Sequence, residues 1–253
     1  MDPWKDRNVG MEVSDILVPN KKKMKGVIIG LSLGLLFSLS TVSRGQEQNG
    51  NNDYQYVLIE AVKYKNLGNL PEAIKRYGLV IKDKPDCAVA YYETGSIYLI
   101  TNQLELAHTY LGKAYALEPD VEWYTIAYLN SLGSLEKYEE AVDILKEKIK
   151  NEPEKTEWEF KLAVTYFSMG KSSKAIKTLE RIEKEKGFSE KITLLKASIY
   201  ESEEKFELAR EEIEKVMILF PEAIQFRIVA AELCLKSGDG AAATNYYLEI
   251  LGR

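Results

Sequence analysis

The chain reads as an all-α protein, an α-solenoid of about six stacked helix-turn-helix units. Three columns of residues carry that reading. Blocks that start at Tyr54, Ala88, Glu122, Thr156, Glu190 and Ile224 are each 34 residues apart. Position 20 of the blocks is Ala73, Ala107, Ala141, Ala175, Ala209 and Ala243. Position 8 is Ala61, Gly95, Leu129, Ala163, Ala197 and Ala231, and position 32 is Pro85, Pro119, Pro153, Gly187 and Pro221. A fixed period of this length marks an array of one supersecondary unit rather than an irregular bundle.

In chain order, the first segment reads as an address. Lys21, Lys22, Lys23 and Lys25 precede an uncharged run, residues 26–43, rich in leucine, isoleucine and valine. A basic start, an apolar stretch and small residues at its exit make residues 1–45 a secretory signal peptide. The cut falls before Gln46 or after Ser43. The other reading is an uncleaved anchor, since 18 apolar residues span about 27 Å, just short of a bilayer core. Both readings put residues 46–253 outside the cytoplasm, periplasmic or secreted. No cysteine lies at the exit of the apolar run, which excludes a lipoprotein cut there. Met24 makes a more ordinary start than Met1 for such a segment. Residues 46–53 (QEQNGNND) are polar and read as a linker.

The six blocks then occupy residues 54–87, 88–121, 122–155, 156–189, 190–223 and 224–253. Each is a helix of about 14 residues, a short turn and a second helix. Two helices approach closely only where side chains are small, which accounts for positions 8 and 20. Larger residues fill the space beside that contact: position 11 is Tyr64, Tyr98, Leu132, Tyr166, Tyr200 and Cys234, and position 24 is Tyr77, Leu111, Leu145, Leu179, Ile213 and Tyr247. Position 15 falls at the turn and holds Gly68, Asn102, Glu136, Gly170, Glu204 and Gly238. Glycine and asparagine there tolerate positive φ. Proline at position 32 stops the second helix, and Gly187 replaces it as a C-terminal cap in the fourth block.

The second block carries Tyr91, Gly95, Tyr98, Ala107, Leu111, Ala114 and Pro119. On these residues the array from Tyr54 to Arg253 resembles the tetratricopeptide repeat (TPR) family, with Thr94 in place of a leucine. Leu129 and Lys148 depart from the family's small residues, and Thr125, Glu159, Thr193 and Arg227 depart from its aromatic column, with Trp158 one position early. The resemblance implies a right-handed superhelix with first helices on the concave side. It implies that positions 2, 5, 6, 9, 12 and 13 of each first helix face the groove. Tyr92, Leu99, Trp123, Ile126, Asn130, Phe160, Lys161, Phe167 and Lys191 are the partner-binding residues expected on that basis. Such a surface suits an extended or helical peptide with apolar anchors, its backbone bonded by Asn130. The carboxylate clamp of some family members is not reproduced: of its columns only Asn130 and Lys191 fit. Lys161 and Lys191 form a basic spot.

Composition narrows the function. Residues 1–45 hold 7 Lys/Arg and 4 Asp/Glu against a whole-chain net charge of −5, so the array is acidic and nucleic-acid binding by phosphate neutralisation is not expected. The single histidine, His108, has Glu105 and Tyr110 as its nearest titratable neighbours in sequence, and two cysteines are too few for a metal site. Cys87 lies in an exposed loop after Pro85, whereas Cys234 is core filler. Glu93, Glu157, Glu201 and Glu232 occupy different columns, so no carboxylate dyad forms. No phosphate loop, nucleophile elbow or paired-histidine zinc motif occurs. With the address segment, these absences lead to the expectation of an exported, cofactor-free, non-enzymatic protein, and the resemblance to the repeat family implies a scaffold of the bacterial cell envelope that binds another protein. The chain stops with no capping helix after Tyr247 and Ile250, which suggests either self-association through the last repeat or a longer exported protein with a sensing or catalytic C-terminal part.

Overall fold

A computed structural model describes residues 53–252. The address segment 1–45 and all of the linker but Asp53 lie outside the described residues. Twelve α-helices follow one another among the described residues: α1 Asp53–Asn66, α2 Leu70–Asp83, α3 Ala88–Ile100, α4 Leu104–Leu117, α5 Glu122–Ser134, α6 Tyr138–Asn151, α7 Thr156–Ser168, α8 Ser172–Lys186, α9 Glu190–Ser202, α10 Phe206–Leu219, α11 Ile224–Ser237 and α12 Gly240–Ile250. They match the first and second helices of the six blocks. The chain divides into two compact units, the first carrying α1–α5 and the second α6–α12. Within each unit a helix packs on the one before it and the one after it, and the first helices α3 and α5, or α7 and α9, also touch. None of the described helices is long and apolar enough to cross a membrane.

The turn inside each block has one geometry. Position 15 is left-handed every time: Gly68 (φ 76°), Asn102 (58°), Glu136 (57°), Gly170 (69°), Glu204 (58°) and Gly238 (87°). The N–H of position 16 then reaches back to the carbonyl of position 11, as in Asn69 to Tyr64 (2.9 Å), Lys171 to Tyr166 (2.8 Å) and Asp239 to Cys234 (2.9 Å). This six-to-one bond satisfies a carbonyl that the helix end leaves open. Glycine was expected at such a place; glutamate was not, yet Glu136 and Glu204 adopt the same conformation.

Second helices stop two residues before proline: Asp83 before Pro85, Leu117 before Pro119, Asn151 before Pro153 and Leu219 before Pro221. The residue preceding proline is pushed out of the helical region, as Lys84 (φ −129°, ψ 84°) and Glu118 (φ −138°, ψ 73°) show. Where Gly187 stands instead, α8 runs one position further and ends on that glycine at φ 86°.

The small-residue columns are where helices meet. Ala61 and Ala73 are buried in one cluster with Tyr77 and Val80, and Ala197 and Ala209 in another with Ile213 and Val216. A Cβ on Gly95 would sit 2.7 Å from the Leu111 side chain and 2.9 Å from its backbone nitrogen, so α3 and α4 touch where only hydrogen fits. Stacking between blocks runs through position 27 of one and position 3 of the next: Val80 with Ala90, Ala114 with Tyr124, Val216 with Phe226. Cys87 belongs to that seam. It is buried beside Val80 and Ala90 rather than exposed in its loop, because the residue before α3 is drawn into the stack.

Polar residues in the aromatic column at position 4 found a second use. Thr125 Oγ1 donates to the Pro119 carbonyl at 3.3 Å, and an Arg227 guanidinium nitrogen donates to the Pro221 carbonyl. Both tie the start of a first helix to the loop that precedes it, a link a phenylalanine cannot make.

Candidate partner-binding surface

In the first unit the expected groove positions fall on α3 and α5. The Tyr92 ring lies 5.0 Å from that of Tyr124, and Trp123 meets Tyr124 edge-on at 5.9 Å. Tyr124 is buried, and burial, with Glu118 nearby, pushes its phenol up to about 12. Trp123 remains 54% exposed above this pair. An indole held edge-on by a buried ring is a fixed apolar platform. Leu99 and Ile126 are half-buried on the same helices, and Asn130 is buried. The same register in the first block picks out Ile59 and Val62, both exposed, and position 13 of α3 is Ile100, 69% exposed. Reading positions 6 and 9 of the first block in sequence would have added Ile59 and Val62.

The only charged residues at these positions are Lys65 on α1 and Glu93 on α3, and they form an ion pair with each other.

In the second unit Phe160 is buried beneath Lys191, whose ammonium stands 3.9 Å from the ring centroid. Lys191 also bonds Glu157 at 3.1 Å, and Lys161 lies 3.6 Å from the other oxygen of the same carboxylate. The basic spot foreseen at Lys161 and Lys191 therefore shares one neutralising carboxylate. Phe167 is half-buried on α7. Two further helices pair in the same way, Lys236 of α11 with Glu201 of α9.

Elsewhere charge is held inside the stack. Lys196 is buried and bonds Glu212 at 2.8 Å and Glu183 at 3.0 Å. Burial alone would lower its pKa, but the bonds from the two carboxylates outweigh it and the net shift is upward. His108 stacks on Tyr128 at 5.3 Å, and the Lys137 ammonium lies 2.8 Å from its Nε2. An ammonium only donates, so Nε2 accepts and the proton sits on Nδ1. Its neighbours are thus Lys137 and Tyr128, on elements that the sequence did not put beside Glu105 and Tyr110. Cys234 is buried and receives a contact from the Arg210 guanidinium at 3.7 Å. Among the described residues no group of three or more His, Cys, Asp or Glu is placed to hold a metal ion.

Two family models described as Tetratricopeptide repeat match residues 60–121 and 134–199. Among solved structures, MamA of strain RS-1, an ArsTM double mutant, is similar at 16% identity with a TM-score of 0.57, over 68% of this chain and 97% of that one. Pseudomonas aeruginosa PilF is similar at 19% identity and a TM-score of 0.54, over 80% and 92%. YrrB, described as a TPR protein with an unusual peptide-binding site, is similar at 18% identity and a TM-score of 0.52, over 67% and 88%. No curated protein matches the sequence.

Proposed function

The chain belongs to the tetratricopeptide repeat family, and from that premise we propose that it is a non-catalytic scaffold holding a protein or peptide partner on the exposed face of its first helices. One observation carries the reading: Trp123, held edge-on by Tyr124, which Tyr92 contacts in turn, stands open to solvent in the register that the family resemblance assigns to the groove. A braced indole loses little side-chain freedom on binding, and such residues dominate interface energetics. The likeness to YrrB, itself described as having a peptide-binding site, supports the same use of the fold.

The address segment supports an envelope location, with the scaffold exported and either released by cleavage before Gln46 or held by residues 26–43. Edman sequencing of the mature chain tests this: a start at Gln46 or Arg44 is the expected result. An intact lysine-rich start in the membrane fraction would mean an anchor, and one in the cytosol would remove the export reading.

The test of the surface is capture from envelope extract by full-length protein and by Trp123→Ala with Tyr92→Ala. The double variant should lose the partner while its helical circular dichroism is kept. Equal capture by both proteins would sink the reading.

A second reading concerns the last repeat. Tyr247 is 39% exposed and Leu251 65%, while the Tyr77, Leu111, Leu179 and Ile213 counterparts of Tyr247 are buried. Exposed apolar residues at that position support self-association there. Sedimentation velocity of Leu251→Glu against the parent chain tests it, with a shift to the smaller species expected.

A further inference from the structure

Of the eighteen residues at positions 2, 5, 6, 9, 12 and 13 of α1, α3 and α5, only Lys65 and Glu93 are charged, and each is spent on the other. The equivalent positions of α7, α9 and α11 carry six charged residues. The face of the first unit is thus neutral: its open side chains are the apolar Ile59, Val62, Ile100 and Trp123 and the uncharged polar Gln55, Asn66 and Ser134. Glu122, next to Trp123 in sequence, is exposed, and a charge so placed adds little to affinity.

We propose that this face selects an uncharged apolar peptide segment, one that presents aromatic or branched aliphatic side chains to Trp123 and Ile100. The proposal rests on the partner-binding reading above and names the chemistry of the partner. A ligand carboxylate or ammonium laid on this face would lose water and gain no counter-charge, unless it broke the Lys65–Glu93 pair. An apolar side chain meets no such cost and removes exposed indole and aliphatic surface from water. The partner chemistry is therefore the reverse of that held by a cationic clamp, and the binding is insensitive to salt because no exposed charges attract across it.

The test uses the full chain and labelled peptides of equal length in fluorescence polarisation. One peptide is apolar with serine spacers; in the second its anchors become glutamate, in the third lysine. The apolar peptide is expected to bind, to lose about tenfold on Trp123→Ala, and to change by less than about twofold on raising salt well above physiological strength. Tighter binding of the glutamate or lysine peptide, abolished by Trp123→Ala, would overturn the apolar selection yet leave the surface itself in use. Binding to neutral phosphatidylcholine vesicles in place of all peptides, again lost with Trp123, would overturn it in favour of a lipid. No Trp123-dependent binding by any probe, together with unchanged capture from extract, would end both this inference and the reading beneath it.

Discussion

The Lys137 N–H bonds the Leu132 carbonyl at 2.9 Å, and the residue caught inside that loop is Glu136 at φ 57°. Glu204 sits the same way between Tyr200 and Lys205, whose bond is also 2.9 Å. The left-handed conformation costs an L-residue about 1–2 kcal/mol. Glycine removes that strain but gives back about 0.5–1 kcal/mol through the freedom it has in the unfolded chain. Glu136→Gly and Glu204→Gly should therefore each stabilise by about 0.5–1 kcal/mol. Urea denaturation followed by circular dichroism checks this, and a lower midpoint for either variant would contradict the shared turn geometry.

Two glycines on second or first helices predict opposite outcomes for one substitution. Gly95→Ala places a methyl within 3 Å of the Leu111 side chain and backbone. Backbone cannot yield, so α3 and α4 must part, at about 1–3 kcal/mol, which exceeds the roughly 1 kcal/mol that alanine gains as a helix former. Gly78 lies in α2 with nothing within 4 Å of an added Cβ. Gly78→Ala should stabilise by about 1 kcal/mol. Ala175→Leu extends the contrast: Ala175 is fully buried, and overpacking should cost about 1–3 kcal/mol. Thermal unfolding of the three variants should show two fall and one rise.

Much of this architecture was legible because its causes are local and repeat. Alanine at position 20, proline at 32 and glycine at 187 each act through size or a missing donor, and the helices end where those residues say. The glutamates at the turns were not legible as left-handed, since the position-16 to position-11 bond overrides their own preference. On the candidate surface, periodicity put Tyr92, Trp123 and Phe160 on one register but not at one depth. Trp123 stays open while Phe160 is buried beneath Lys191, a residue 31 positions further on. Lys196 carries no signal either, because its partners Glu183 and Glu212 come from two other helices.

Lys196 gives the pH prediction. Its pKa in the fold is raised, so its contribution is fully present below the lysine value of the unfolded chain, about 10.4, and is lost as pH rises through the folded value. Stability should hold near neutrality and decline in the alkaline range. Removing the ammonium leaves Glu212 buried, although Lys215 still bonds it at 2.8 Å. Lys196→Met should therefore cost about 3 kcal/mol, the lower end for breaking a buried pair. The variant should also lose less stability than the parent between neutral and strongly alkaline pH. Parallel denaturation curves with an identical alkaline decline would show that the buried network does not govern that limb.

Both cysteines are buried, Cys87 in the seam between α2 and α3 and Cys234 in α11 against Ala231 and Ala243. A thiol reagent reaches such a sulfur only when the surrounding helices open. Folded protein should thus react with a disulfide reagent far more slowly than urea-unfolded protein. Each site reports a different unit, since α2 and α3 belong to the first and α11 to the second. In repeat arrays stability is a sum of neighbouring terms, and the ends can open apart from the rest. Cys87→Ser and Cys234→Ser leave one reporter apiece. If the units open separately, labelling in increasing urea should show two different midpoints, and coincident midpoints would mean a single cooperative opening of α1–α12. Prompt labelling of Cys87 without urea would restore the exposed loop that its place after Pro85 first suggested.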